Sequence, residues 1–509
     1  MSYSTAQNSR RTRLILGVLG TLPTLAAPRA ALAQEQTPTE APDSKVGGGQ
    51  ESGGTPEAVS PSPLSLAQAS QIELATQEAR AASQKVELLE KQIAAESKAP
   101  SAASADEKGF GFRSADGAYA LKFHTLLQVD SRWFPHNGAL SDKADTFLIR
   151  RFRPSLDGTL LSLVNFKFTP DFAGGSVAVF DAYADVGPFP WVHLVAGKFK
   201  SPLGLERLQS DADLAFIERA LTQNLTPQRD VGVALWGEIL GGFVIYHAGI
   251  YNGNADAANT DVDANHAKDF VGRVLVQPFK LEELRAAGDL GLHFAASTGN
   301  RLGLATNPQL PSYKSGGQNT IFSYNAPTGD TTGINTPFAH LRQTRLNPGL
   351  FYYYGPLGVL GEFVWSKQGV QKGNALATLK HRAAHATASF VIGGRNGYSG
   401  ATPNQNLDLK KGSWGALEIA ARWNRLKIDS ATFGSSSDAT QPVLADPTKS
   451  VSKAQAFAGA VNYIASRALK IAVDFERTRF SGGLVAADKK TIVNRSIENV
   501  VIGRLQLNF

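Results

Sequence analysis

Polar and apolar residues alternate with a period of two along most of this 509-residue chain. In the segment YALKFHTLLQVDSRW, residues 119–133, most odd positions are apolar. The even positions form the polar face, which includes Lys122 and Arg132. Strict alternation indicates a β-strand with one apolar face, and fifteen residues are about three times the length of an average strand. The pattern therefore predicts an unusually long strand, apolar on one side and basic on the other.

About sixteen alternating runs follow one another from Gly109 to the C-terminus. They lie near residues 119–134, 147–161, 163–172, 176–186, 190–200, 229–238, 241–252, 268–278, 288–298, 340–354, 357–369, 380–393, 412–428, 453–465, 468–480 and 494–509. Short connections interleave with long ones at 135–146, 201–228, 253–267, 299–339, 428–452 and 481–493. Short turns on one side and long loops on the other are typical of an outer-membrane β-barrel.

A soluble β-sandwich is the alternative, since it also contains many alternating strands. Strand length argues against it, because fourteen steps of ~3.3 Å tilted by about 45° rise roughly 33 Å, enough to cross a membrane. Two connections do not fit the alternation: 173–175 is short on the long side, and 394–411 is long on the short side. We predict an all-β fold, a sixteen-stranded antiparallel transmembrane barrel over residues 109–509.

The N-terminus has the features of an export signal. Three arginines precede an apolar stretch, and the sequence Ala31-Leu32-Ala33 forms a small-x-small cleavage site. Such a pattern is typical of a secretory signal peptide, here residues 1–33 with cleavage after Ala33. We therefore expect a bacterial outer-membrane location, with the segment that follows the signal in the periplasm.

The segment between the signal and the barrel divides into three parts. Residues 34–63 are rich in Pro, Gly, Ser and Glu and are predicted to be a disordered linker. Residues 64–97 place small and aliphatic side chains at alternating spacings of three and four, which predicts a helix with a heptad pattern. A solvated single helix and a short oligomeric coiled coil both fit this pattern. Residues 98–108 form a second linker.

The charge distribution points to small anions. Residues 109–509 carry 41 Lys and Arg against 32 Asp and Glu, so the net positive charge lies in the predicted barrel. Basic domains often bind nucleic acid, but an exported protein seldom meets it. No cysteine is present, which excludes disulfides and thiolate metal sites. The final strand VVIGRLQLNF ends in Phe509, which resembles the signal read by the outer-membrane assembly machinery.

Five segments together resemble one known family, the phosphate-selective porins O and P. They are GFRSADGAYALKFHTLLQVDSRWF (111–134), FLIRRFRPSLDGTL (147–160), FDAYADV (180–186), VAGKFKSPLGLERLQSDADLAFIERAL (195–221) and QRDVGVALWG (228–237). The resemblance implies a homotrimer of sixteen-stranded barrels, in which anions pass a narrow constriction lined by arginine and lysine. By position, Arg150 and Arg151 match the constriction arginines of the family.

Strand parity sorts the candidate residues by face. Arg151 and Arg153 share one face, whereas Arg150 falls on the opposite one with Phe152. A charge facing lipid costs about 2–4 kcal/mol at the membrane midplane, so Arg150 must lie near a strand end or be turned inward by a bulge. The same logic places the remaining candidates in the lumen: Lys198, Lys200, Arg229 and Arg273 at the constriction, with Asp181 placed to orient a lysine, and Lys122, Arg132 and Lys167 on the lumen wall.

Residues 201–228 are predicted to fold into the pore as its constriction, with a short helix in DADLAFIERAL. His381 and His385 are too far apart on a strand, ~13 Å, to share a metal ion. Neither a catalytic set nor a phosphate-binding glycine loop is recognisable, so we expect no enzyme, cofactor or metal.

These observations favour a passive channel for inorganic anions such as chloride and phosphate or polyphosphate, in contact with outer-membrane lipid. Two alternatives remain: a general or sugar-permeable porin with little charge preference, and an anchoring barrel whose coiled coil contacts peptidoglycan. For each basic residue, a solvated or carboxylate-paired wall charge is the competing interpretation.

Overall fold

The computed structural model describes residues 73, 76–88, 90–91, 102–107, 109–135, 144–261, 263, 266–327, 329, 332, 334–434 and 441–509. The predicted signal peptide and the linker 34–63 lie outside the described residues. Residues 76–88 are helical and exposed; pairing into a coiled coil stays a prediction. Residues Ala102–Asp106, within the predicted linker 98–108, form a hairpin with Gly109–Arg113, which pairs with the first barrel strand. No described helix has the length and apolar character needed to cross a membrane.

Sixteen antiparallel strands of the described chain form the barrel. In chain order, β1 to β16 are Ala120–Trp133, Thr146–Leu160, Val164–Asp171, Ala178–Phe189, Val192–Phe199, Asp230–Ile239, Val244–Tyr251, Asp269–Val276, Asp289–Leu302, Phe338–Tyr354, Leu357–Lys372, Ala375–Ile392, Ala416–Lys427, Val451–Ile464, Leu469–Val485 and Glu498–Asn508. Shorter strands are Ser312–Lys314, Thr320–Ser323, Gly394–Arg395, Thr402–Pro403 and Ile492–Asn494, and 3₁₀ turns lie at Pro278–Lys280, Glu282–Ala287 and Ser430–Phe433.

The barrel closes between its first and last strands. β16 pairs with β1 from Val501 opposite Trp133 to Asn508 opposite Leu126. Phe509 extends this ladder, because its backbone N–H donates to Thr125 O at 3.1 Å and its carbonyl accepts from Thr125 N at 2.5 Å. Closure leaves the barrel without an unpaired strand edge. This is necessary because unpaired backbone groups cannot be exposed to lipid. The predicted sixteen-stranded antiparallel barrel is confirmed.

The connections fall on two sides, called here the turn side and the loop side. The turn side holds 161–163, 190–191, 240–243, 277–288, 355–356, 393–415 and 465–468. The loop side holds 134–145, 172–177, 200–229, 252–268, 303–337, 373–374, 428–450 and 486–497. The long turn-side connection expected at 394–411 is present. The loop side has two short connections, 172–177 and 373–374.

Side chains alternate across the wall as the period-two pattern requires. On β2, Phe152 is 41% exposed, whereas Arg151 and Arg153 are buried inside the barrel. The outer surface therefore presents a band of apolar side chains to lipid, and the polar residues face the lumen. Exposed tryptophans, among them Trp133, Trp191 and Trp414, lie near strand ends, where aromatic side chains suit the membrane interface.

Candidate functional site

The connection 200–229, called here the inward loop, occupies the lumen. Its apolar side chains, including Leu205, Ile217 and Leu225, are almost completely buried. Helical turns lie at Leu205–Leu208 and Leu221–Leu225. The predicted helix in DADLAFIERAL is wrong, because residues 211–220 form turns and bends and no helix.

Wall side chains take up the backbone carbonyls that a helix at 211–220 would use. Lys470 Nζ on β15 donates to Ala212 O at 3.0 Å and to Leu214 O at 2.9 Å. Arg504 on β16 donates to Ile217 O at 2.9 Å, and Arg422 on β13 donates to Glu218 O at 2.8 Å. Since these charge-assisted bonds satisfy the buried carbonyls, the segment keeps its turns and bends without helical hydrogen bonds.

Wall acceptors hold the amide groups of the inward loop in the same way. Gly204 N donates to Asn347 Oδ1 at 2.8 Å, and Leu205 N donates to Glu362 Oε2 at 2.5 Å. Ile217 N donates to Asp474 Oδ2 at 2.6 Å. Gly204 has φ +91°, a conformation that favours glycine. The loop is thus fixed from several sides of the barrel.

Asp211 of the inward loop is shared by three arginines. Arg151 Nε lies 3.4 Å from Asp211 Oδ2, Arg219 Nη2 lies 2.8 Å from Oδ1, and Arg153 also pairs with Oδ2. Burial alone would raise the pKa of Asp211, but Arg151, Arg219 and Arg153 hold it well below its ordinary value. The carboxylate is therefore ionised at neutral pH, and the guanidinium groups around it exceed the charge it supplies.

A β-bulge turns Arg150 into the lumen. Gln128 on β1 is opposite Arg151, but the next residue, Val129, is opposite Ile149, so Arg150 is the extra residue. A bulge re-aims a side chain in this way. Arg150 Nε lies 2.7 Å from Glu218 Oε1, and Arg132 Nη2 lies 2.6 Å from the same oxygen. Of the two alternatives from parity, the bulge is the one present.

These residues form what we call the arginine cluster. Its cations are Arg132, Arg150, Arg151, Arg153, Arg219 and Arg504, and its carboxylates are Asp130, Asp171, Asp211 and Glu218. Six guanidinium groups thus meet four carboxylates where the inward loop contacts β1, β2 and β16. The local excess of positive charge lowers the energy of an anion there.

Other predicted residues lie beside the inward loop but make different contacts. Lys200 Nζ donates to Gln209 O at 2.6 Å, which ties the loop to its own base. Arg229 Nε lies 3.3 Å from Asp181 Oδ1, so the partner of Asp181 is an arginine where a lysine was expected. Lys198 pairs with Asp261 of the loop 252–268.

The remaining predicted residues lie outside the arginine cluster. Lys167 Nζ on β3 lies 3.0 Å from Asp157 Oδ1, a carboxylate that also contacts His124 at 2.9 Å. Arg273 on β8 is directly opposite His247 on β7, and it forms no ion pair within the described part of the chain. Lys122 lies near the turn-side end of β1.

Several residues of the site were not predicted from the sequence. Arg504 and Arg422 were on polar faces of predicted strands, so parity placed them in the lumen without linking them to the constriction. Asp211, Glu218 and Arg219 lie in the loop segment predicted to be helical. Charge within a loop that is expected to enter the pore is the signal that would have identified them.

The long turn-side connection 393–415 reaches the inward loop. Tyr398 Oη donates to Leu205 O at 2.6 Å, and Gln209 Nε2 donates to Tyr398 O at 2.8 Å. The Tyr398 ring stacks on Phe351 with a centroid separation of 4.7 Å. The lumen is therefore narrowed from the turn side as well as from the loop side.

Several solved barrel structures are similar to this chain. The outer membrane channel DcaP of Acinetobacter baumannii is 12% identical with a TM-score of 0.47, covering 78% of this chain and 99% of that chain. The anion-selective porin from Comamonas acidovorans is 10% identical with a TM-score of 0.47, covering 77% and 100%. The trimer form of OmpT of Vibrio cholerae is 12% identical with a TM-score of 0.45, covering 77% and 100%.

Sequence comparison assigns the family. Among proteins with curated descriptions, none matches the chain by sequence. The family model described as phosphate-selective porin O and P matches residues 126–509, which is more than half of the chain and includes fifteen barrel strands and most of β1. The closed barrel and this match make the protein an outer-membrane porin, a channel rather than an enzyme. The chain belongs to the phosphate-selective porin O and P family.

Proposed function

We propose that the porin is an anion-selective channel in which inorganic anions, phosphate among them, diffuse passively past the arginine cluster. The observation that carries the proposal is the convergence of Arg151, Arg153 and Arg219 on the single carboxylate of Asp211. Arg153 also pairs with Asp171, so three fixed cations meet two carboxylates and leave hydrogen-bond donors for a further anion. An oxyanion is well suited to these donors, because a guanidinium group can donate two parallel hydrogen bonds to two oxygens of a carboxylate or phosphate.

The neighbouring carboxylates explain how an anion would leave again. An anion that enters the constriction exchanges water for guanidinium N–H groups, which limits the cost of dehydration. Asp211 and Glu218 already occupy part of those donors, so each site is weak. Conduction needs several weak sites in sequence, and the cluster offers them along β1 and β2.

Further parts of the proposal concern the rest of the chain. Lys198, Lys200, Arg229, Arg273 and Asp181 are proposed to line the anion path, with Lys122, Arg132 and Lys167 adding positive potential along the wall. We propose a homotrimer, as the family resemblance implies. We also propose that residues 1–33 are a signal peptide and that Phe509 belongs to the assembly signal. A periplasmic coiled coil that contacts peptidoglycan is proposed as well.

A general porin with little charge preference is the second candidate. It is favoured by the pairing of other lumen arginines with carboxylates. Arg345 Nε lies 2.6 Å from Asp256 Oδ1, and Arg301 Nη2 lies 2.6 Å from Asp269 Oδ2. Where each cation is neutralised in this way, the wall offers little net charge to a passing ion.

The reversal potential of the purified porin in a planar bilayer separates the two candidates. Under a potassium chloride gradient, we expect a potential close to that of chloride, and added phosphate should reduce the chloride current. Arg151→Ala should weaken both effects, while Lys411→Ala, at an 83% exposed side chain in the turn-side connection 393–415, should leave the phosphate effect unchanged. A potential near zero would favour the general porin, and a cation preference would contradict the proposal.

A further inference from the structure

A second cluster in the lumen combines two carboxylates with an imidazole. Glu206 lies on the inward loop, Glu362 on β11 and His385 on β12, and one ligand atom from each lies within 4.8 Å of the other two. All three residues are buried, none more than 6% exposed. They come from separate parts of the chain, so the fold brings them together.

His385 has an unused nitrogen in this cluster. Its Nδ1 atom faces Thr222 Oγ1 at 3.1 Å and Glu362 Oε1 at 3.7 Å. Its Nε2 atom is buried and has no hydrogen-bond partner within the described residues. A buried ring nitrogen without a partner costs free energy, and Nδ1 is the nitrogen that faces the Glu362 carboxylate, where a metal ion would bind.

Only one arginine of the described chain forms an ion pair with these carboxylates. Arg422 Nη1 lies 3.7 Å from Glu206 Oε1, but Arg422 also pairs with Glu476 Oε2 at 3.0 Å. Arg219 donates to the backbone carbonyl of Glu206, but no other arginine or lysine of the described chain forms an ion pair with the carboxylate oxygens of Glu206 or Glu362. Two buried carboxylates need a counterion to offset their desolvation, and a divalent cation would provide it.

The cluster is also held in place before any ligand binds. Glu362 accepts hydrogen bonds from Leu205 N at 2.5 Å and from Thr222 Oγ1 at 2.9 Å. Glu206 Oε2 accepts from Ala220 N at 2.9 Å. Hydrogen-bonded carboxylates keep a fixed orientation, as the outer-shell partners of metal ligands do. The distance argument against His381 and His385 as a pair still holds, because His385 finds its companions on other elements.

We propose that Glu206, Glu362 and His385 bind a divalent transition-metal ion of the Zn²⁺ class. One imidazole and two carboxylates suit such an ion. Mg²⁺ and Ca²⁺ prefer oxygen ligands, whereas Zn²⁺ accepts both nitrogen and oxygen ligands. A bound ion would tie the inward loop to β11 and β12. Zn²⁺ would then hold the constriction in its narrow position and reduce the current, independently of which ions the pore selects.

Equilibrium dialysis of the full-length detergent-solubilised porin, first stripped with EDTA, tests the site with Zn²⁺ as the probe. We expect one Zn²⁺ per chain, and we expect Glu206→Gln and His385→Ala each to weaken its binding by about 10-fold or more. The matched control is His381→Ala. His381 is a buried histidine on the same strand, whose nitrogens contact Tyr324 Oη at 3.0 Å and Asp429 N at 3.1 Å.

Two results would overturn the proposal: no stoichiometric Zn²⁺ on the wild-type chain, or equal loss of binding in the His381→Ala control. A measurement on the wild type alone avoids dependence on the folding of the variants. Zn²⁺ X-ray absorption should show a shell with one imidazole nitrogen at about 2.0 Å and carboxylate oxygens. A shell without imidazole would place the metal elsewhere and contradict the site.

Discussion

Arg150 and Glu218 are joined across the lumen by two parallel hydrogen bonds, from Nε to Oε1 at 2.7 Å and from Nη2 to Oε2 at 3.2 Å. The guanidinium group comes from the wall and the carboxylate from the inward loop. Such a fork-shaped pair fixes direction as well as distance. It exists because a bulge in β2 turns Arg150 away from lipid, so a local irregularity of one strand positions the constriction.

The variant Glu218→Gln is expected to increase anion preference. The carboxylate neutralises part of the charge of Arg150 and Arg132, and the amide keeps a hydrogen-bond acceptor in place. At ~7 Å in a water-filled lumen, removing one negative charge lowers the energy of an anion by roughly 0.6 kcal/mol. A potassium ion at the same place loses an equal attraction, so the chloride-to-potassium permeability ratio, as measured by reversal potential, should rise about sevenfold.

The matched control for this variant is Glu238→Gln, near the turn-side end of β6, which should leave the ratio close to that of the wild type. A fall in the ratio for Glu218→Gln would mean that the loss of the pair displaces the inward loop and exposes other carboxylates. That result would contradict the role given to the cluster.

Asp213 on the inward loop is expected to make selectivity depend on pH. Burial raises the pKa of Asp213 to about 6, although Lys470, Arg467 and Lys200 act in the opposite direction. Above this pH the residue adds a negative charge to the lumen. The chloride-to-potassium permeability ratio should therefore fall as pH rises from 5 to 7, with a midpoint near pH 6, and Asp213→Asn should remove the step.

The same shift affects stability in a definite direction. The folded chain binds the Asp213 proton more tightly than the unfolded chain does, because the folded pKa is the higher of the two. The free energy of unfolding should fall as pH rises from about 4 to about 6 and stay constant above that range. Asp488→Asn is the control: hydrogen bonds from Thr491 lower the pKa of Asp488, so it stays ionised between pH 5 and 7.

Tyr398 is expected to dock the turn-side connection 393–415 against the inward loop. Tyr398→Phe removes the hydrogen bond to Leu205 O and keeps the ring on Phe351, at a cost of about 1 kcal/mol. Tyr398→Ala removes both contacts and should cost about 3 kcal/mol. Amide hydrogen exchange of residues 393–415 should accelerate by roughly fivefold in the phenylalanine variant and by more in the alanine variant.

Tyr246→Phe makes the same chemical change at a distant site, where the hydroxyl donates to Trp191 O at 2.7 Å. Exchange in 393–415 should be unaffected by it. Equal exchange in Tyr398→Phe and in the wild type would show that the Tyr398 hydroxyl does not hold the connection.

The strands were predictable because lipid and water impose a period of two on every membrane stave. The sequence runs at 119–134 and 494–509 correspond closely to β1 and β16 for that reason. The direction of Arg150 was not decided by parity, since a bulge depends on the register with Gln128 and leaves no pattern in the sequence. The interior of the loop at 211–220 was predicted to be helical because its backbone partners, such as Lys470, lie more than two hundred residues away.

Some contacts of the inward loop depend on closure of the barrel. Gln506 on the last strand donates to Ala212 O at 3.0 Å, and Gln128 on the first strand donates to Asp211 O at 3.1 Å. Those two side chains meet only when β16 has joined β1, since Gln128 Nε2 also donates to Gln506 Oε1 at 2.7 Å. The contacts that hold Asp211 and Ala212 are therefore complete only in the closed barrel, so a barrel still open at this seam has all sixteen strands but an incompletely held constriction.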